Sequence, residues 1–427
     1  MIKKTFNIKL YILIFLFLWL KIILLNPGGS LFAQEKSKEL SFVNPWQESL
    51  TLPFQFINNL IIIPVRINNS DTLRFILDTG LNTTIITELA TGDSLLLNYA
   101  RKITLAGLGK GQPVEALHSY NNHFDIAGIK GLRQNIYVLL ENNLNLSSEL
   151  GVWIHGLTGH NVFKHFIIEI NYEKELITFH KPETYRYKRL NRRTVILPLL
   201  IHNSKPYIQT TIIQNDGTVI PVKLLIDTGA GHALWLDLRS HPQLKFPENT
   251  IESFLGRGLN GEIYGKMGRI KKLYIDKFEL KDVIASYPDS LSLGKAIGLD
   301  ERNGSLGSEV LRRFKLIIDY SNKQISFIPN NLFLGSFKHD MSGMQVTAPF
   351  PKLPYYTILD IQKDSPADHA GLKIGDEIIA DNNIKTSKYK LPEIRYIFRQ
   401  KEGRKIKIKV SRNGKEIKTN FILKKII

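Results

Sequence analysis

The chain has 427 residues, 43% hydrophobic and 10% aromatic, enough apolar material for two or three packed domains, which excludes wholesale disorder. It has no cysteine, so disulfides, thiolate metal sites, a cysteine nucleophile and a lipid-anchoring cysteine are excluded. The net charge is +18, and from Lys385 to the end 15 Lys and Arg face 3 acids, a surface that could attract an anionic membrane.

At the amino terminus, Lys3 and Lys4 precede a dense apolar run over residues 10–20, with Leu31-Phe32-Ala33 following before Gln34. A basic start, a short apolar core and a small residue read as a secretory signal over residues 1–33. The alternative is a retained membrane anchor, for which the run is short. Either way the rest of the chain is expected outside the cytoplasm, in the periplasm or the extracellular space.

An internal repeat organises the middle of the chain. Phe75-Ile-Leu-Asp-Thr-Gly80 and Leu224-Leu-Ile-Asp-Thr-Gly229 align at an offset of 149, as do Gly107 with Gly256, Gly109 with Gly258, and Ile126 with Ile275. The offset becomes 148 for Gly156 and Gly159 against Gly304 and Gly307, and stays so for Phe166, Tyr172, Ile177 and Phe179 against Phe314, Tyr320, Ile325 and Phe327. The chain therefore reads as a duplicated domain over residues 50–182 and 196–330, joined by a basic linker at 183–195. Each copy is mostly strand. Strands are expected at 60–67 and 72–77, and again at 207–213 and 219–226, each pair around a polar turn. Short helices at 161–165 and 309–313 precede hairpins at 166–170 with 176–179 and 314–318 with 324–327.

A third unit spans residues 337–427, with strands at 356–361, 405–410 and 416–423 and a helix at 390–399. Lys405, Lys407 and Lys409 alternate with Ile406, Ile408 and Val410. That period of two is a half-buried strand, so the basic charge is first a solvated strand face.

The chemistry-bearing residues are Asp78 and Asp227. Each carboxylate sits where an apolar strand breaks, and the following glycine lets its backbone N–H approach the carboxylate without a Cβ. One Asp-Thr-Gly alone reads as a turn. Two at matching places in a duplicated domain can be brought together by a pseudo-twofold axis. Carboxylates in contact share a proton, so one can act as base on a water while the other polarises a carbonyl. The sequence lacks His-Glu-x-x-His, Gly-x-x-x-x-Gly-Lys and Gly-x-Ser-x-Gly patterns. His155 and His160 flank a glycine turn without further ligands, so neither a metal nor a cofactor is expected. His232, beside the second motif, reads as a structural histidine rather than a third reacting group.

On these motifs, residues 50–330 resemble two retropepsin-like lobes in one chain, as in bacterial aspartyl proteases that look like a fused retroviral protease dimer. The resemblance implies a mainly β fold of two acid-protease β-barrel lobes, with Asp78 and Asp227 as catalytic residues and Thr79, Gly80, Thr228 and Gly229 as their supporting loops. It implies that Ile154-His155-Gly156 and residues 304–307 lie behind those loops. It also places flaps at 105–112 and 254–265, carrying Gly107, Gly109, Gly256, Gly258 and Tyr264. Leu81-Asn82 and Ala230-Gly231-His232 depart from the pattern, where the pepsin branch has a small hydroxyl residue. The third unit resembles a bacterial PDZ domain through Ser365-Pro366-Ala367, Ala370-Gly371-Leu372 and Gly375-Asp376-Glu377-Ile378. That implies capture of a peptide carboxyl terminus at Ser342-Gly343-Met344, although this loop lacks the usual glycines; packing on the lobes as a scaffold is the other reading. The expectation is thus an exported aspartic endopeptidase acting on polypeptides, complete in one chain, with no nucleic acid partner. The alternative is a non-catalytic protease-fold scaffold whose PDZ domain binds peptides.

Overall fold

The computed structural model describes residues 39–90, 92–187, 193–293 and 302–427. The segment expected to be a secretion signal or anchor, and the middle of the expected linker, lie outside the described residues. Among the described residues no helix is long and apolar enough to cross a membrane.

The fold is mainly β, with 48% strand and 9% helix, arranged as two closed six-stranded barrels and a carboxyl-terminal PDZ domain. In the first barrel the ring runs through Leu60–Ile67, Leu73–Leu77, Gly156–Thr158, Thr84–Ile86, Ile129–Leu139 and Val114–Ile126, and back to Leu60–Ile67. In the second it runs through Lys205–Ile213, Val219–Asp227, Gly304–Gly307, Leu234–Leu236, Phe278–Pro288 and Gly261–Ile275, and closes on Lys205–Ile213. The two rings have the same order and the same mixture of parallel and antiparallel pairs. In both, the strand holding the Asp-Thr-Gly turn pairs in parallel with a glycine-bounded strand. That parallel pair explains the paired glycines. A side chain at Gly156 would run into the Ile85 carbonyl, and one at Gly304 into the Trp235 carbonyl.

A six-stranded antiparallel sheet joins the lobes. Its order is Ser49–Pro53, Leu176–His180, Ile167–Asn171, Phe314–Asp319, Gln324–Pro329 and Val195–Pro198. The pseudo-twofold passes between the middle strands, where Ile168 pairs with Ile318 and Ile170 with Leu316. Phe166, Tyr172, Ile177 and Phe179 and their four counterparts are all buried. At about 1.5–3 kcal/mol for each large apolar side chain fully buried, this sheet contributes strongly to holding the lobes together.

The strands expected at 60–67, 72–77, 207–213 and 219–226 are present at Leu60–Ile67, Leu73–Leu77, Lys205–Ile213 and Val219–Asp227, within a residue or two. The two short helices begin one residue earlier than expected, at His160–Phe163 and Ser308–Leu311. Residues ahead of position 50 also join the first lobe. Ser41–Phe42 pairs with Ile129–Leu139, and Ser49–Pro53 edges the joining sheet. Val195, the last residue of the expected linker, already belongs to the strand pairing with Gln324–Pro329.

The third unit has its own apolar core and a sheet ordered Met344–Thr347, Thr357–Ile361, Glu377–Asp381, Lys405–Arg412 and Lys415–Ile422, with helices Pro366–His369 and Leu391–Ile397. Ile406, Ile408 and Val410 are buried while Lys405 and Lys407 are exposed, as the alternation requires.

Candidate active site

The two Asp-Thr-Gly turns meet across the lobe boundary and hold each other by side chain to backbone bonds. The Thr79 N–H donates to Thr228 Oγ1 at 3.1 Å, and the Thr228 N–H donates to Thr79 Oγ1 at 3.0 Å. Each hydroxyl then donates into the opposite strand, Thr79 to the Ile226 carbonyl at 2.6 Å and Thr228 to the Leu77 carbonyl at 2.8 Å. Both threonines have 0% exposure, so each bond satisfies a group that water cannot reach.

The glycines bring the carboxylates together. The Gly80 N–H donates to Asp78 Oδ1 at 2.7 Å, and the Gly229 N–H donates to Asp227 Oδ1 at 3.2 Å. A methyl group at Gly80 would lie 3.1 Å from Asp78 Oδ1 and 3.5 Å from Asp227 Oδ1. At Gly229 it would lie 2.5 Å from both oxygens of Asp78. Gly229 thus packs directly against the Asp78 carboxylate, where any side chain would drive the pair apart, while a methyl at Gly80 would crowd Asp78 itself and only touch Asp227.

Burial, reinforced by the neighbouring Asp227 charge, pushes the Asp78 carboxyl up to about 7, against the Gly80 N–H and the Lys205 ammonium. Burial raises Asp227 as well, opposed by Arg302, the Gly229 N–H and Lys205. The pair therefore holds a proton well above the ordinary carboxylate range, and that proton belongs to both groups.

Lys205 and Arg302 carry no motif, and nothing in the sequence alone singles them out. Lys205 is the first residue after the 203–204 turn, where both residues have positive φ. The matching turn in lobe 1 is Asn58-Asn59, also at positive φ, and is followed by Leu60. The cation is thus present on one side of the pseudo-twofold only, and comparing the two turns would have exposed it.

The stretches expected as flaps form two hairpins, one in each lobe. In lobe 1, strands Ala100–Leu105 and Val114–Ile126 flank the loop with Gly107 and Gly109. In lobe 2, Thr250–Gly258 pairs with Gly261–Ile275 around Leu259 and Asn260. Their tips interlock. The Asn260 N–H donates to the Leu108 carbonyl at 2.8 Å, and Asn260 Oδ1 accepts the Gly107 N–H at 2.9 Å. A side chain at Gly109 would meet the Asn260 backbone, and one at Gly258 the Leu108 backbone. Gly256 stands at the bulge of the lobe 2 flap with φ of 138° and open space around it. Tyr264 lies on this flap against Phe254, and its hydroxyl donates to Glu262 rather than to either aspartate.

His232 stacks on Trp235 at 4.7 Å, and its Nε2 lies 3.0 Å from Ser305 Oγ. Burial pushes its pKa down to about 3, so it is a neutral packing residue. His155 Nδ1 accepts the Arg74 N–H at 2.9 Å and its Nε2 faces Asp93 at 3.1 Å. Among the described residues no group of three or more acidic or histidine side chains could hold a metal ion.

In the third unit the expected carboxylate loop is already filled. The N–H groups of Ser342 and Gly343 donate to Asp340 Oδ1 at 2.8 and 3.0 Å, and the Met344 N–H donates to Ser342 Oγ at 3.2 Å. Ser365 caps the Pro366–His369 helix by accepting the Asp368 N–H, and Asp376 is paired with Arg412 at 2.7 Å, so the most recognisable PDZ residues are structural.

No curated protein matches the chain. Residues 357–412 match the PDZ domain family, so the chain carries a PDZ domain, preceded by two barrel lobes compatible with a two-lobed protease fold.

Proposed function

We propose that the chain is an aspartic endopeptidase whose dyad is Asp78 and Asp227. One observation carries the reading: two cross-bonded Asp-Thr-Gly turns hold a pair of carboxylates that share a proton under two opposed flaps. The ionised member takes a proton from a water, and the resulting hydroxide attacks the scissile carbonyl carbon. The protonated member delivers its proton to the carbonyl oxygen. The gem-diol collapses as the C–N bond breaks: the leaving amine takes the proton that came from water, and a gem-diol hydroxyl returns its proton to the other carboxylate as the carboxyl product forms, which restores the one-proton dyad. Lys205 favours charge on both carboxyls, whereas Arg302 lowers the cost of charge at Asp227 only, which favours Asp227 as the ionised base and Asp78 as the proton donor. Both aspartates come from one chain, so a second copy is not needed. The basic and apolar amino-terminal stretch supports export, with exported or envelope polypeptides as substrates, and the basic carboxyl-terminal strand face supports docking on an anionic membrane.

The test is cleavage of a diverse peptide library, read by mass spectrometry between about pH 3 and 8. Asp78→Asn and Asp227→Asn each abolish cleavage while the circular dichroism spectrum stays unchanged; full activity in either variant overturns the dyad. The matched PDZ domain supports a second reading, a peptide-binding scaffold built on inactive lobes. It is favoured if the native chain cleaves nothing in the library.

A further inference from the structure

The groove of the PDZ domain, between strand Met344–Thr347 and helix Leu391–Ile397, is not free. Strand Met344–Thr347 is the edge of its sheet, and its outer side is met by lobe 1. The Ala348 N–H and the Thr347 hydroxyl donate to the Ser148 carbonyl at 3.0 and 3.1 Å. Arg395 reaches from the helix to the strand, donating to the Val346 carbonyl at 2.6 Å and to Glu149 Oε2 at 3.1 Å. A carboxylate from the lobe 1 helix Leu146–Leu150 therefore sits on the guanidinium that spans the groove. The loop N–H groups of Ser342 and Gly343 are taken by Asp340, and Arg395 is a groove cation that can receive a ligand carboxylate.

The same Glu149 reaches the lobe 2 flap. Its Oε1 accepts from Arg257 Nη1 at 3.2 Å, and Arg257 is also bonded to Glu262 on the facing flap strand at 3.1 Å. Gln345 of the PDZ edge strand donates to the Phe254 carbonyl of the flap at 2.8 Å. Glu149 and Arg257 keep 21% and 14% side-chain exposure and Arg395 16%, so this network is largely shielded from water.

We propose that the Leu146–Leu150 helix is a resident cis ligand of the PDZ groove, and that a polypeptide carboxylate displacing Glu149 from Arg395 releases the lobe 2 flap. The flap's role over the dyad rests on the peptidase reading, whereas the latch itself rests on these contacts alone. A ligand binding the groove gains only where Glu149 leaves, so groove occupancy and flap release are reciprocal.

The test uses the full chain and hydrogen exchange. Glu149→Gln keeps the helix and removes the charge. It is expected to speed amide exchange by at least about tenfold in both 250–258 and 344–348, and Arg395→Gln to do the same, with no further gain in the double variant. A synthetic peptide of residues 143–152 is expected to bind Glu149→Gln at least about tenfold more tightly than the native chain, the groove being vacated, while the same peptide with Gln at position 149 does not. Equal peptide binding by native chain and variant, exchange changed in only one segment, or unfolding of lobe 1 in Glu149→Gln each overturns the latch. If both segments loosen and cleavage is not accelerated, the latch stands and the peptidase reading of the flap falls.

Discussion

The threonines behind the dyad offer the sharpest test of the cross-lobe geometry. Thr79→Val keeps shape and β-branching but removes the hydroxyl that accepts the Thr228 N–H and donates to the Ile226 carbonyl. Thr228→Val removes the partner of the Thr79 N–H and of the Leu77 carbonyl. Each variant strands one donor and one acceptor in a site with no exposure. At about 1–3 kcal/mol per orphaned buried group the cost is roughly 2–6 kcal/mol. The lower half of that range is expected, because both carbonyls lie in strands and retain other neighbours. Pseudo-symmetry requires the two variants to cost the same within about 1 kcal/mol. The assay is urea unfolding followed by tryptophan emission. Of the four tryptophans, Trp153 and Trp235 lie in the two lobes, Trp19 and the exposed Trp46 lie ahead of them and the PDZ domain contains none, so the assay follows the Trp153 and Trp235 emission in variants with Trp19 and Trp46 replaced by Phe. A cost below about 1 kcal/mol in either variant, or a large asymmetry between them, refutes the interlocked turns.

Two further outcomes follow from the same site. Because Asp78 is raised to about 7, the folded chain holds a proton that the unfolded chain has released, so the Asp78 contribution to stability is greatest below the ordinary carboxylate range and falls as pH rises toward 7. Asp78→Asn removes that slope and is more stable than the native chain at about pH 8, with the gap closing toward about pH 4, as urea unfolding at several pH values will read; a gap independent of pH sinks the shared proton. Gly109→Ala, at a φ of 119° and against the Asn260 backbone, forces the flap tips apart and is expected to lower kcat/KM at least about tenfold with lobe stability unchanged. Unaltered kinetics would show that the interlock does not govern access.

The repeat made most of the site legible. It paired Asp78 with Asp227, aligned Gly107 and Gly109 with Gly256 and Gly258 and located the joining hairpins, because these features depend on local turns and on alternating strands. Ring closure was not legible. It runs through Thr84–Ile86 and Leu234–Leu236, strands of three residues that are too short to show a period. Nor does periodicity name a partner: Ile168 meets Ile318 through a pairing between lobes that no window of sequence contains. The Glu149–Arg395 pair spans 246 residues and joins the helix expected at 390–399 to a five-residue helix that sequence alone did not indicate.

The places where the repeat breaks are where the lobes diverge in role. The Thr79 and Thr228 bonds are near mirror images because each must satisfy the other's backbone, so neither can drift alone. Around them the symmetry relaxes. The offset changes from 149 to 148 between Ile126 and Gly156, the segment that in lobe 1 carries the Leu146–Leu150 helix meeting the PDZ domain. Lys205 stands where lobe 1 has Leu60, and Arg302 acts on Asp227 where the 148 offset gives Ile154 in lobe 1. A dyad of two identical carboxylates needs a bias to decide which one holds the proton. A duplicated chain, unlike a dimer of identical subunits, can fix that bias in its sequence. Arg302, which lowers Asp227 and not Asp78, provides such a bias, whereas Lys205 acts on both, so neutralising Arg302 is the change that would return the two aspartates toward equivalence.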